Sequence, residues 1–219
     1  MKGSRKKRIT VVGSAANPPT RAHRELAETL TKSGEFDRVL WLPSGSRPDK
    51  PNLIPAEHRT RMTELMFHES WRREQPTEFA IDLREAGRAS IPTIYILREL
   101  KQEYPDAEIV FATGVDVLVP REEYGGKCDV LYYWDEGESL MNNWTFVVLP
   151  RVDYPHPRVL QQEGKIPKHF LIIDRPPSLV GWASSTEVRR RVACGESFDE
   201  LVDPRVAEYI HTHKLYQSP

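Results

Sequence analysis

Several things are scarce in this sequence, and each scarcity excludes something. Of 219 residues only Cys128 and Cys194 are cysteines. Two are too few for a disulfide framework and these are not spaced as metal ligands, which suits a reducing compartment, with the cytoplasm as the expectation. Net charge is nearly absent, 31 Lys and Arg standing against 32 Asp and Glu. No global basic field therefore exists to hold a nucleic-acid backbone, and any anion has to be gripped locally. No apolar run approaches the ~20 residues of a membrane span. The opening "MKGSRKKR" is basic like the start of a secretion signal, but the "ITVVG" behind it is far too short for the apolar part of one. No G-x-G-x-x-G follows the first apolar run, which argues against an NAD-dependent oxidoreductase. Carboxylates do not cluster into a metal cage, and no repeat or low-complexity linker marks a boundary. The expectation is a basic tail over 1–8 and one domain over 9–219, with neither nucleic acid nor membrane as partner and with the oligomeric state, a homo-oligomer included, left open.

What is present is an alternation. Apolar runs of strand length at 9–12, 38–42, 79–83, 108–113, 146–149 and 170–173 are separated by segments of helical period. That order predicts a doubly wound α/β domain, a parallel sheet flanked by helices. Leu26, Ala27 and Leu30 share one helical face with Gly34 as a stop; Met62, Leu65 and Met66 repeat the spacing, as do Ile96, Leu97 and Leu100. The region 120–143, rich in glycine and charge and carrying Tyr132, Tyr133 and Trp134, reads as a loop or short helix bordering a site.

Two stretches carry chemistry. In "VVGSAANPPTRAHRELAETL" the first strand breaks into small residues and prolines, then delivers His23 to the first turn of a helix. At the carboxyl end of a central strand this is where open α/β sheets bind ligands. Free N–H groups and the helix dipole favour an anion there, and Gly13, Ser14, Ala15 and Ala16 let backbone approach it. Thr20 and His23, three apart, can turn to the same phosphate. The plainer possibility is a proline-shaped turn whose histidine satisfies a helix end. The second stretch, "SSTEVRRR" from Ser184, has a capping-box spacing between Ser184 and Glu187 with Val188 and Val192 as a buried stripe. It would present Ser185, Thr186 and Arg189 to the oxyanions of a polyphosphate, whereas Arg190 and Arg191 read as a solvated face.

These residues resemble the nicotinate and nicotinamide mononucleotide adenylyltransferases of the nucleotidyltransferase superfamily. "GSAANPPTRAH" is similar to their G-G-T-F-D-P-I-H-x-G-H loop and "SSTEVR" to their I-S-S-T-x-I-R motif. Between and after them, "PSGSRPDK" with "EHRTRM", "PTIYIL", "TGVDVL" and "VDPRVAEYIHTHKLY" match further motifs in order. The resemblance spans essentially the whole chain. It implies a Rossmann-like, nucleotidyltransferase-type single domain in which a mononucleotide phosphate attacks the α-phosphorus of ATP, Mg²⁺ arriving with ATP. It also implies roles. His23, Thr20 and Arg189 would be catalytic, and Gly13, Ser14, Gly114, Asp116, Ser185 and Thr186 would complete the ATP site, Asp116 on the ribose. Asn17, Lys50, Thr93, Trp144 and Arg151 would serve the mononucleotide, Lys50 at its phosphate and Thr93 with Trp144 beside the pyridine ring. Departures fall at Thr20, where the family has a histidine, and at Ala16, Ala22 and Asp49. A start of helix at Thr93, with Pro92 in its first turn, would offer N–H groups to a carboxylate and favour nicotinate over nicotinamide mononucleotide.

Rival readings are a phosphopantetheine adenylyltransferase, a class I aminoacyl-tRNA synthetase core, for which the chain is too short, and a silent nucleotide-binding regulator of the same fold. His211 and His213, two apart, point different ways on a helix and lack a third metal ligand. His58 and Arg59 read as capping a helix or pairing with acids, and Trp41, Trp71 and Trp182 as core or rim.

Overall fold

The computed structural model of the chain describes residues 6–47, 50, 52–174 and 183–217; Asp49 and Trp182 lie outside these. Six strands form one sheet: β1 (Arg8–Ser14), β2 (Arg38–Pro43), β3 (Glu78–Ile81), β4 (Glu108–Gly114), β5 (Thr145–Leu149) and β6 (Leu171–Ile172). Their order is β3-β2-β1-β4-β5-β6, and every neighbouring pair is parallel. The chain winds outward in both directions from β1 and β4, so the crevice at their carboxyl ends is the topological switch point.

The strands read as continuous apolar runs because both faces of the sheet are buried. Alternate residues go to opposite layers. Val39, Trp41, Val110, Ala112, Val147 and Leu149 pack in one layer with α1 (Arg21–Lys32), α2 (Ala56–Met66), α3 (Glu69–Arg73), α8 (Ser185–Cys194) and α9 (Pro204–Thr212). Leu40, Leu42, Ile109, Phe111, Phe146 and Val148 pack in the other with α4 (Thr93–Glu103), α5 (Asp129–Tyr133), α6 (Gly137–Asn143) and α7 (Pro157–Gln162). The helical stripes meet them: Ala27, Leu30, Met62, Met66, Leu97 and Leu100 are all buried, Leu26 and Leu65 partly. Full burial of one such aliphatic side chain contributes about 1.5–3 kcal/mol.

Boundaries shift where local chemistry intervenes. β3 ends at Ile81 because the Asp82 carboxylate accepts from the Arg84 backbone and guanidinium, turning the chain out. Arg8 belongs to β1 and not to a tail, pairing with Glu35 at 3.0 Å and Glu108 at 2.8 Å. The irregular region holds α5, α6 and the 3-10 turn Glu122–Tyr124, and a further 3-10 turn, Val115–Leu118, precedes it. Among the described residues, no helix is long and apolar enough to cross a membrane.

Candidate active site

β1 and β4 end beside each other, and the loop after β1 runs under the start of α1. Thr20 is the N-cap of α1 and His23 its third residue. The Thr20 backbone N–H donates to His23 Nδ1 at 3.0 Å, and the Thr20 hydroxyl lies 2.9 Å from the same nitrogen. A backbone amide only donates, so Nδ1 is an acceptor and the ring proton of the neutral imidazole sits on Nε2. Burial, and then the charge of Arg151, bring the His23 pKa down to about 4. Near neutral pH the cavity therefore faces an uncharged N–H donor of fixed direction. Thr20 itself has no exposed surface, so its hydroxyl orients His23.

The second motif comes to the same place. Ser184 caps α8 by accepting from the Glu187 N–H at 3.1 Å. Only half of the capping box forms, because the Glu187 carboxylate is taken by Arg190 and Arg191, which hold its pKa down to about 2. Ser185 Oγ donates to the Pro18 carbonyl at 2.7 Å and Arg189 Nη1 to the Asn17 carbonyl at 2.7 Å. The amino end of α8 is thus bolted to the first loop.

Two adjoining cavities, of about 840 and 450 Å³, occupy the crevice. Ser14, His23, Lys50 and Ser185 face both. Gly13, Thr20, Thr93, Gly114 and Arg151 line the larger, while Asn17, Thr186 and Arg189 line the smaller. Asp116 is in neither lining but pairs with Arg151 of the larger cavity's wall, its Oδ1 3.0 Å from Arg151 Nε, and its side chain is partly exposed. Gly114 is required for that pairing, since a Cβ there would lie 2.3 Å from Asp116 Oδ1 and 2.5 Å from Arg151 Nε.

Some expected residues lie elsewhere or are otherwise engaged. Trp144 precedes β5, at the amino end of its strand, and packs on the core with its carbonyl near His169; the structure does not bring it to the cavity. Trp134, between α5 and α6, lines the larger cavity beside Phe111, the two rings meeting edge to face at 5.7 Å. Asn17 is 3% exposed, with Nδ2 donating to the Asn52 carbonyl and Oδ1 accepting from the Tyr216 hydroxyl. Pro92 is the N-cap of α4 and not part of its first turn, leaving Thr93 as the first helical residue.

Arg59 is the residue most misread from the sequence. Among the described residues it forms an ion pair with no acid. The side chain is 1% exposed and donates to four backbone carbonyls: Ile54 at 3.1 Å, Ala15 at 2.8 Å, and Ser44 and Gly45 at 2.7 Å each. Burial lowers its pKa from the ordinary value. Glu85, equally buried, accepts the Gly45 N–H at 2.8 Å together with the Ser90 hydroxyl and the Ile91 N–H. Together they lock the loops after β1, β2 and β3 into one wall, and Gly45 is enforced because a Cβ would meet the Arg88 carbonyl at 2.3 Å. A signal existed: Arg59, Met62, Thr63 and Met66 share one buried stripe of α2. Glu85 carried no such signal. His58 meets the Tyr209 hydroxyl at 2.9 Å, and His211 lies 3.6 Å from Asp199.

A parallel sheet in the order 3-2-1-4-5-6 with two donor-rich helix starts at its switch point fits a nucleotidyltransferase, and the family model described as cytidylyltransferase-like, which matches residues 11–191, places the chain in that class. A relative from Synechococcus sp. named "Probable nicotinate-nucleotide adenylyltransferase" is 32% identical over 219 residues, 97% of this chain and 98% of its own. One of the same name from Clavibacter michiganensis is 30% identical, over 97% of this chain and 95% of its own. Among solved structures, the Plasmodium falciparum nicotinic acid mononucleotide adenylyltransferase complexed with NaAD aligns at a TM-score of 0.78 and 24% identity, covering 96% of this chain and 97% of that one. The chain belongs to the nicotinate-nucleotide adenylyltransferase family.

Proposed function

We propose that this protein joins the adenylyl group of ATP to nicotinate mononucleotide in NAD biosynthesis, with nicotinamide mononucleotide as the poorer acceptor. A phosphate oxygen of the mononucleotide attacks the α-phosphorus, the bond to the β-phosphate oxygen breaks, and pyrophosphate leaves with its electron pair. The attacking phosphate is already ionised, so the reaction needs positioning and charge neutralisation more than a base.

One observation carries this reading. His23 near one end of the chain and Arg189 near the other face the same 450 Å³ cavity. His23 Nε2–H donates to the reacting α-phosphate, with Thr20 holding the ring. Ser185, Thr186 and Arg189 take the β- and γ-phosphates, where the start of α8 adds its dipole. Gly13 and Ser14 let ATP lie close to β1, and Asp116 beside Gly114 addresses the ribose. Lys50, at the junction of the two cavities, reaches the mononucleotide phosphate. Asn17 shapes that junction, Thr93 and Arg151 border the larger cavity, and Trp134 supplies the aromatic wall for the pyridine ring. The start of α4 at Thr93 favours the carboxylate of nicotinate.

Mg²⁺ would arrive with ATP and be held by the triphosphate. The donor set here fits that arrangement: hydroxyls, an imidazole, cations and two carboxylates, Glu85 and Asp135, line the larger cavity, Glu85 already accepts backbone N–H groups, and among the described residues no three His, Cys, Asp or Glu gather into a metal cage. Bound in this way a divalent ion would neutralise charge on the leaving pyrophosphate.

The test is pyrophosphate release from ATP with nicotinate mononucleotide, nicotinamide mononucleotide or phosphopantetheine. Highest kcat/KM with the nicotinate compound is expected. Release with phosphopantetheine alone would reassign the substrate, and none with any acceptor would leave a nucleotide-binding regulator.

A further inference from the structure

The motif that closes the sequence, "YIHTHKLY", has no part in the chemistry above, yet its last residue reaches the site from behind. After α9 the chain folds back, with the Leu215 N–H donating to the Ile210 carbonyl at 3.1 Å. Lys214 and Tyr216 take φ values of 49° and 63°. Residues other than glycine hold such conformations only where their surroundings over-determine them. Leu215 and Tyr216 both pack against the core layer of α1, α2 and α9.

From there the Tyr216 hydroxyl donates to Asn17 Oδ1 at 3.0 Å. Asn17 is buried, and its other amide atom, Nδ2, donates to the Asn52 carbonyl at 3.2 Å. The same residue's backbone carbonyl receives Arg189 Nη1 at 2.7 Å. The orientation of the Asn17 peptide thus fixes where the Arg189 guanidinium sits, and the side-chain amide fixes that peptide. Tyr216 does not line either cavity. Arg189 and Arg59 are the cations whose charge its phenol senses most, although burial dominates and raises its pKa.

We propose that Tyr216 is a positioning residue for the triphosphate end of the site, acting through Asn17 to set the docking point of Arg189. This rests on the functional reading above, in which Arg189 binds the leaving phosphates. Tyr216→Phe keeps the ring and removes the one hydroxyl. Loss of a buried hydrogen bond of this kind corresponds to about a threefold to tenfold change in an equilibrium. Affinity for a non-hydrolysable α,β-methylene analogue of ATP, measured by calorimetry, should weaken by about that factor, and KM for ATP should rise with it while KM for the mononucleotide holds. In an Asn17→Ala background the same step should add nothing, because the residue that transmits it is gone. Leu215→Ala serves as the control for packing: it should lower the melting temperature and leave ATP affinity alone. Equal affinity of wild type and Tyr216→Phe overturns the proposal, and so does an equal loss in Leu215→Ala. Absence of nucleotide binding by the wild type would instead overturn the functional reading on which it rests.

Discussion

Replacing His23 by glutamine separates the proton that His23 refuses from the one it donates. In the folded chain its pKa is depressed from 6.5 to about 4, by burial and then by Arg151. The unfolded chain titrates near the ordinary value. The unfolded state therefore binds the extra proton first as pH falls, and the contribution of His23 to stability is intact above pH 6.5 and lost toward pH 4. At 1.36 kcal/mol per unit, the loss between pH 6.5 and 4.5 comes to about 2 kcal/mol. Glutamine has no proton to accept. Carboxylates titrate in the same window in both proteins, so the difference between their stability curves isolates His23. Urea unfolding of wild type and His23→Gln at several pH values from 7 to 4.5 should show the variant losing about 2 kcal/mol less over that interval. Turnover at pH 7.5 should meanwhile fall on the order of 100-fold, the usual cost of one donor aimed at transition-state charge. Parallel stability curves would mean that His23 is not held neutral by the fold, and unaltered turnover would remove it from the reaction.

Arg189→Ala should raise KM for ATP about tenfold or more, with a smaller fall in kcat, because a group on the leaving phosphates acts partly in the ground state; steady-state kinetics at saturating mononucleotide reads the split. Arg59→Lys leaves three donors for four carbonyls and moves them from a planar fork to a point. A stability loss of about 3 kcal/mol is expected, or a fall of roughly 6–12 °C in a thermal melt, and an unchanged melting temperature would show that Arg59 does not hold the loops. Trp134→Ala should raise KM for the mononucleotide several-fold without changing KM for ATP, whereas Trp144→Phe should change neither.

The sheet was legible because a strand buried on both faces leaves a run of apolar residues that nothing else in a chain of this composition explains. The first run reads as central, as it is, but the order of the others is visible only in the structure, because apolar runs of similar length carry no mark of which neighbours pair. The two donor-rich helix starts were legible for a related reason: small residues before a cap, and a cap before a stripe, have few other uses together. Trp144 failed on direction. It stands next to a strand, as Trp134 does not, but at the amino end, and in a parallel sheet only carboxyl ends converge on the crevice. Trp134 lay in the aromatic stretch expected to border a site, without a signal to choose it over its neighbours.

What the sequence hid is a class of residue. Arg59, Glu85 and Tyr216 have no role on substrate in the proposed site; their partners are backbone carbonyls, backbone N–H groups, the Ser90 hydroxyl and one buried amide. Such partners are present at every position of the chain, so no spacing advertises them. Physical economy would have placed apolar side chains there, since a buried charge contributes little net stability and is often outdone by well-packed hydrocarbon. The arrangement makes sense as direction. Hydrocarbon can fill the space under the loops after β1, β2 and β3, but it cannot fix the orientation of the Ala15 and Gly45 peptides, which Arg59 holds, or of the Asn17 peptide, which receives Arg189. A reaction that depends on holding two polyanions in line needs that orientation more than it needs another kilocalorie of burial. Arg59→Met tests this preference against its alternative. If the buried guanidinium serves orientation, the variant should melt no lower than Arg59→Lys and still lose more in kcat/KM. If it serves stability alone, the order of melting temperatures and of activities should be the same.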